Sequence, residues 1–528
     1  MIFSLSSLSA LLAISLTPSN VAAQGSWKVI GRSGVPAMHA VLTTESKIVI
    51  IDKAEPSELT FPDGTFAWAS EYDLNTNKAR PLRLKTNSFC SAGSFLGDGT
   101  LIEFGGDIPI HDKDTVPADI GFQTVRIFKP CSDNSCQILE NPGGKHMSSN
   151  RWYPTAVTLP DGRVLIAGGS TKGQGAVAAR YNNPTYEIFP RKPGEAPNYE
   201  LPILRTTIPY NLYPQIIVLP NGNLFVLSNK DSVIYDWVQH RTVKELPRVP
   251  GVARTYPLTG GTALLPLDPS NNYRAEIVVC GGAQAMDRAL KADDTCIRIA
   301  PLDANPTWTT ERMPNRRTMP DLTLLADGNL MIVNGAQTGF AGYSNAKDPQ
   351  TIPVLYKYNE PAGKRFRLLA PSDIARIYHS VAMLIPDGRV WVAGSNPHSR
   401  ISKETEFRVE AYSPDYLLTG TKRPQIVAFP AEIQYGETFK ISVDLGQDAK
   451  GTPVRTVLVN LGFSTHSTHM SQRQVGMRNT VKSVNGRIVE LAVTSPPNAN
   501  IFPPGKHWLF VLRGDGVPAI AKQIWIHQ

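Results

Sequence analysis

The chain has 528 residues, 41% of them hydrophobic, and a formal net charge of +8. That length exceeds one ordinary core, so several domains or a repeat array are needed, and 41 glycines with 43 prolines exclude a mainly helical protein in favour of a turn-rich all-β one. The basic residues are scattered in runs no longer than pairs such as Arg316-Arg317, which argues against a nucleic-acid partner, whose binding proteins gather charge in a stripe.

Residues 1–23 read as a secretory signal: the apolar run Leu8–Leu16 is followed by small residues Val21 and Ala23 at the cleavage positions. The run is too short to span a bilayer, and no other stretch is long enough. A secreted, extracellular protein with no membrane partner is expected.

From residue 24 to 420 one unit recurs. Each unit has an anchor residue, an apolar strand, a turn, and a second strand ending in small residues. The anchors are Met38, Cys90, Tyr153, Tyr213, Tyr256, Met319 and Tyr378. Second strands such as Leu101–Gly106, Val164–Gly169 and Ile277–Gly282 end in paired glycines. The turns include Pro160-Asp161-Gly162, Pro220-Asn221-Gly222 and Pro386-Asp387-Gly388, whose glycine and Asp or Asn suit the positive φ of hairpins. Seven units of this kind predict a seven-bladed kelch-type β-propeller, closed by an N-terminal strand that completes the last blade. Over 421–528 the repeat gives way to short alternating strands, among them Thr438–Asp444, Thr456–Asn460, Ile488–Val493 and His507–Leu512. These predict a C-terminal immunoglobulin-like β-sandwich.

Five cysteines are an odd number for an oxidising compartment. Cys131 and Cys136 are close enough for a loop disulfide, Cys280 and Cys296 can close a hairpin, and Cys90 is left over. The inner strands of a propeller start around one mouth of its channel. Three anchors there, Cys90, Tyr153 and Tyr378, are reactive types, and His379 follows the last of them. Each alone is most simply a packing residue. The sandwich adds Phe463-Ser-Thr-His466-Ser-Thr-His469-Met-Ser-Gln472-Arg473, a loop able to reach the channel mouth.

Four stretches together make a specific resemblance. They are Phe89-Cys90-Ser91-Ala92-Gly93, Arg151-Trp152-Tyr153-Pro154, Arg376-Ile377-Tyr378-His379-Ser380 with Gly394-Ser395-Asn396-Pro397, and Thr465-His466 with Gln472-Arg473. In this order they resemble the copper radical oxidases, the family of galactose oxidase and glyoxal oxidase, and are more similar to the glyoxal oxidase branch. The resemblance implies one copper ion held by Tyr153, Tyr378, His379 and His466, the last supplied by the C-terminal domain. It implies a thioether from Cys90 to the ring of Tyr153, which would carry the radical, and Tyr378 as the base. It also implies that the other four cysteines pair. Neighbouring strand residues point to opposite faces, so Tyr378 and His379 can share a metal only where the backbone is irregular.

The implied activity is oxidation of small aldehydes of the glyoxal or methylglyoxal type to carboxylic acids, with O2 reduced to H2O2. Peroxidases would be coupled through the peroxide, and the chain would act as a monomer. Oxidation of primary alcohols or galactose at the same copper site is the alternative, and a non-catalytic kelch platform for glycans or proteins is the rival of another class. Galactose oxidase stacks a tryptophan over its thioether, whereas Gly168-Gly169-Ser170-Thr171-Lys172 offers no aromatic there, which argues against galactose.

Overall fold

A computed structural model describes residues 24–109, 116–173, 175 and 177–527. The expected signal segment, 1–23, lies outside the described residues. Within them the chain is β-structure, with one four-residue helix, Ile203–Thr206, and a few short 3-10 turns. No helix among the described residues is long and apolar enough to cross a membrane.

Seven antiparallel blades form the ring, as the repeat predicts. The first runs through His39–Leu42, Lys47–Ile51, Ala69–Asp73 and Lys78–Leu82; the third through Thr155–Thr158, Val164–Ala167, Thr185–Phe189 and Tyr199–Glu200. The last blade takes Ser380–Leu384, Val390–Gly394 and Arg408–Ser413, and Ser26–Arg32 closes it, with Ser26 opposite Ser413. The two ends of the ring are thereby hydrogen-bonded together.

Three local devices repeat. In the turns, the Asp or Asn side chain accepts from the amide two residues on, as Asp161 does from Arg163 and Asp387 from Arg389. The loops have three residues, and left-handed φ falls on the glycine alone, such as 79° at Gly162. At the ends of second strands, a side chain on Gly105 or Gly394 would collide with the Arg151 or Ala37 carbonyl of the next blade. In four blades a buried arginine (Arg151, Arg254, Arg317 or Arg376) ties the entry to the strands: Arg151 donates to the Gly168 and Thr185 carbonyls and pairs with Glu187, and Arg376 donates to the Gly394 and Arg408 carbonyls and pairs with Glu410.

The C-terminal unit is an eight-stranded sheet folded into a sandwich. Its long strand Arg473–Asn485 serves both halves, pairing first with Val454–Asn460 and then with Ile488–Thr494. Leu458, Leu509, Val511 and Ile524 share one apolar cluster with Leu219, Phe225 and Leu264 of the ring, so the sandwich packs on the propeller through a continuous core. Both expected disulfides, Cys131–Cys136 and Cys280–Cys296, are present, and Cys90 is free and buried.

Candidate metal centre

The segment expected to be a loop is a hairpin. Phe463–Thr465 and Thr468–Met470 pair with each other, and Thr465 also pairs with His39 of the first blade. The hairpin thus enters the propeller and extends its first sheet. Its two turn residues, His466 and Ser467, both have left-handed φ, 47° and 64°, as a type I′ turn requires. This places His466 at the tip. Gln472 and Arg473 fasten the base: Gln472 bonds the Leu322 carbonyl and Leu324 amide, and Arg473 donates to the Val218 and Ile501 carbonyls.

Left-handed backbone also marks the ring positions that face the tip. It occurs at Cys90 (53°), Tyr153 (62°), Tyr213 (45°), Met319 (57°) and His379 (62°). Met38, Tyr256 and Tyr378, taken as anchors from the sequence, do not share it. In the last blade the register moves by one: Val381 faces Ala393 as Thr155 faces Ala167, so His379 occupies the place of Tyr153. The backbone there is irregular, and Tyr378 and His379 lie on the same side with rings stacked at 3.8 Å. The Gly394-Ser395-Asn396 segment fixes this arrangement, since the Ser395 amide donates to the His379 carbonyl and the Asn396 amide to that of Tyr378. The Asn396 side chain continues to Glu55 of the first blade.

All five sequence-predicted residues are brought together. The Tyr153 amide donates to the Cys90 carbonyl at 3.0 Å, and the Tyr153 and Tyr378 hydroxyls are 3.1 Å apart. Cys90 Sγ lies 3.3 Å from His466 Nε2. Ligand atoms of Cys90, His379 and His466 are all within 4.8 Å of one another. Every member is at least 95% buried. His469, the other histidine of the hairpin, points away and meets Asp321 at 3.2 Å.

The electrostatics are those of a dry site. Burial, reinforced by the neighbouring phenols and thiol, pushes the Tyr153 phenol well up. Burial likewise raises the Tyr378 phenol and the Cys90 thiol and lowers both His379 and His466, leaving neutral imidazoles. Both ring nitrogens of His379 are buried without a protein partner. Such orphaned nitrogens, facing a second imidazole and two phenol oxygens, are a donor set that suits copper(II). A cation there would invert the local balance and favour the phenolates.

Several residues at the site were not singled out from the sequence. Tyr256 bonds both Tyr153 (2.9 Å) and Tyr378 (3.0 Å) through its hydroxyl. A hairpin inserted in the sixth blade, Ala336–Gly339 with Ala346–Pro349, carries Tyr343 over the site, its ring 5.4 Å from those of Tyr378 and His379. Neighbouring blades clamp the insertion, which donates from Ala341 to the Pro257 carbonyl and from Ser344 to that of Pro397. A cavity of about 10 Å³ is left between Thr259, Met319, Ala341, Tyr378, His379 and His466. Of these, Tyr256 and Met319 carried a sequence signal, as anchors of the repeat.

Comparison with known proteins agrees with this construction. Residues 38–416 match the family described as "Glyoxal oxidase N-terminus", and 423–526 match "Galactose oxidase-like, Early set domain". The "Aldehyde oxidase GLOX" of Vitis pseudoreticulata is 35% identical over 95% of this chain and 97% of its own length. The "Aldehyde oxidase GLOX1" of Arabidopsis thaliana is also 35% identical, covering 95% and 84%. A "Galactose oxidase" of Gibberella zeae is more distant, at 21% identity, with 94% of this chain and 69% of that protein covered. A solved copper complex of a fungal alcohol oxidase shares the fold, with a TM-score of 0.70 at 18% identity over 96% of this chain and all of that one.

Proposed function

The chain belongs to the glyoxal oxidase family, and from that premise we propose that it is a copper radical oxidase converting small aldehydes, as their hydrates, to carboxylic acids with release of H2O2. The observation that carries the reading is the convergence of Cys90, Tyr153, Tyr378, His379 and His466 from three blades and one inserted hairpin tip into a single buried cluster. Tyr153, Tyr378, His379 and His466 would hold the metal.

Copper, when bound, supplies a Lewis acid and an acceptor for one of the two electrons. The chain supplies the rest. Joining Cys90 Sγ to the Tyr153 ring removes one hydrogen from each, with O2 as the oxidant. The linked ring is the second one-electron acceptor. Tyr378, beside the substrate position, takes a hydroxyl proton of the hydrate as general base. The Tyr153 phenoxyl takes the hydrogen atom from carbon. Overall, RCH(OH)2 and O2 give RCOOH and H2O2.

Substrate size follows from the walls. Tyr343 over Tyr378 and His379, with Ala341 and Met319 at the small cavity beside them, leaves little room, which favours a small aldehyde over a hexose. Two disulfides fit secretion under a signal at 1–23, with a propeller over 24–420 and a sandwich over 421–528. In that setting a monomer hands peroxide to peroxidases without a docking contact. The test is a peroxide-release assay on copper-loaded protein against glyoxal, methylglyoxal, glycerol and galactose. Turnover of the aldehydes above the alcohols supports the reading; preference for galactose overturns the substrate assignment, and no peroxide from any overturns the oxidase.

A further inference from the structure

The sequence lacks an aromatic after Gly168-Gly169, yet the Tyr153 ring is not left bare. Tyr256 lies against it, ring centroids 4.3 Å apart and planes 25° from parallel. The Tyr256 hydroxyl closes a triangle with those of Tyr153 (2.9 Å) and Tyr378 (3.0 Å). Its position is a departure from the repeat. In the fifth blade the ring-facing position is Thr259, whose carbonyl accepts from the Met319 amide as that of Cys90 does from Tyr153. Tyr256 stands three residues earlier and is aimed into the site by a loop whose Leu212–Tyr256 bridge and Pro257–Ala341 bond hold it.

We infer that Tyr256 is the positioning residue for the Tyr153 radical: its ring shields and delocalises the radical, and its hydroxyl sets how readily Tyr153 is oxidised. The inference rests on the copper radical reading above. When Tyr153 and Tyr378 serve as anionic ligands, the only phenolic proton in the triangle is that of Tyr256. Donated to the Tyr153 oxygen, it stabilises the electron-rich reduced ring more than the neutral radical. Removing it therefore makes oxidation easier. A hydrogen bond to a charged group is worth enough to move this equilibrium about tenfold. Loss of the ring face shortens the radical's life instead.

The experiment compares copper-loaded wild type, Tyr256→Phe and Tyr256→Leu. Mass spectrometry first scores the Cys90–Tyr153 link in each. Each is then titrated with ferricyanide, which takes one electron from Tyr153 and becomes ferrocyanide, while the radical's absorption and electron paramagnetic resonance are followed without substrate. The expected result is linked protein throughout, a radical-to-reduced ratio about tenfold higher in Tyr256→Phe at equal ferricyanide, and a radical half-life at least about tenfold shorter in Tyr256→Leu. Linked variants with wild-type ratio and half-life overturn the role of Tyr256 and leave the oxidase reading standing. Wild type without a link overturns both. If Tyr256→Leu does not fold, Tyr256→Phe alone decides, since it keeps the ring.

Discussion

The Tyr153 amide donates to the Cys90 carbonyl over 3.0 Å, and both residues hold left-handed backbone, at φ 62° and 53°. One inter-blade bond thus sets two reactive side chains of neighbouring blades against each other before any chemistry occurs. Cys90 belongs to no disulfide, and serine differs from it only in the atom at the end of the side chain, so the exchange leaves the backbone bond in place and removes the sulfur. Cys90→Ser is expected to fold and to bind copper through the remaining ligands. Its peroxide release with glyoxal should fall by roughly a thousandfold, because members of one catalytic unit fail together. Circular dichroism with the peroxide assay checks both halves.

His469 acts on the site through the hairpin. Its Nε2 meets Asp321, whose other carboxylate oxygen accepts from Asn334, all of them buried. This pair fixes the strand that follows the His466 turn. His469→Ala should weaken copper binding by about tenfold, the lower end of what supporting residues of metal ligands contribute. Copper titration by calorimetry reads it, and an unchanged affinity would assign His469 to packing alone.

Tyr343 lies over the site, its ring 5.4 Å from those of Tyr378 and His379. Tyr343→Ala removes the ring that faces Tyr378 and His379 while leaving the clamps at Ala341 and Ser344. The ratio of kcat/KM for hexanal to that for methylglyoxal should rise by roughly tenfold, the scale on which apolar pocket changes discriminate. Steady-state kinetics on the two aldehydes tests this directly.

Much of this was legible in the sequence because it is written in local chemistry. Asp-Gly or Asn-Gly turns and strand-end glycines mark most of the blades, since these residues suit the turn and the close approach of the next blade, although the first blade turns through Thr44-Glu45-Ser46 without them. The five site residues stand in short motifs whose other members have jobs of their own: Arg151 and Arg376 bind strand-end carbonyls, and Asn396 holds Tyr378. Tyr256 and Tyr343 were not legible as site residues. Their approach depends on a displaced loop and an inserted hairpin, and neither breaks the apolar pattern. The one-residue shift at His379 was also hidden, because a register change leaves the composition of a strand intact.

Acid should weaken the fold through its buried histidines. Burial pushes His507 down to about 4, and its Nε2 donates to the Pro503 carbonyl. Between the ordinary imidazole range and pH 4 the unfolded chain takes up a proton that the folded chain refuses, so stability is lost as pH falls through this window. At pH 5 the loss from this residue is about 2 kcal/mol relative to neutral pH. His39, pushed down to about 3, acts with the same sign. His507→Gln, able to keep the bond to Pro503, should narrow the difference in Tm between pH 7.5 and pH 5; an undiminished difference would exclude His507 as a source.

The most direct test of the copper radical account is covalent. Protein treated with copper and O2, then reduced and digested, is analysed by mass spectrometry for the peptides of Cys90 and Tyr153. The account predicts one species, two hydrogens lighter than the sum of the two peptides and resistant to reducing agent. Recovery of Cys90 as a free thiol after copper and O2 would contradict it.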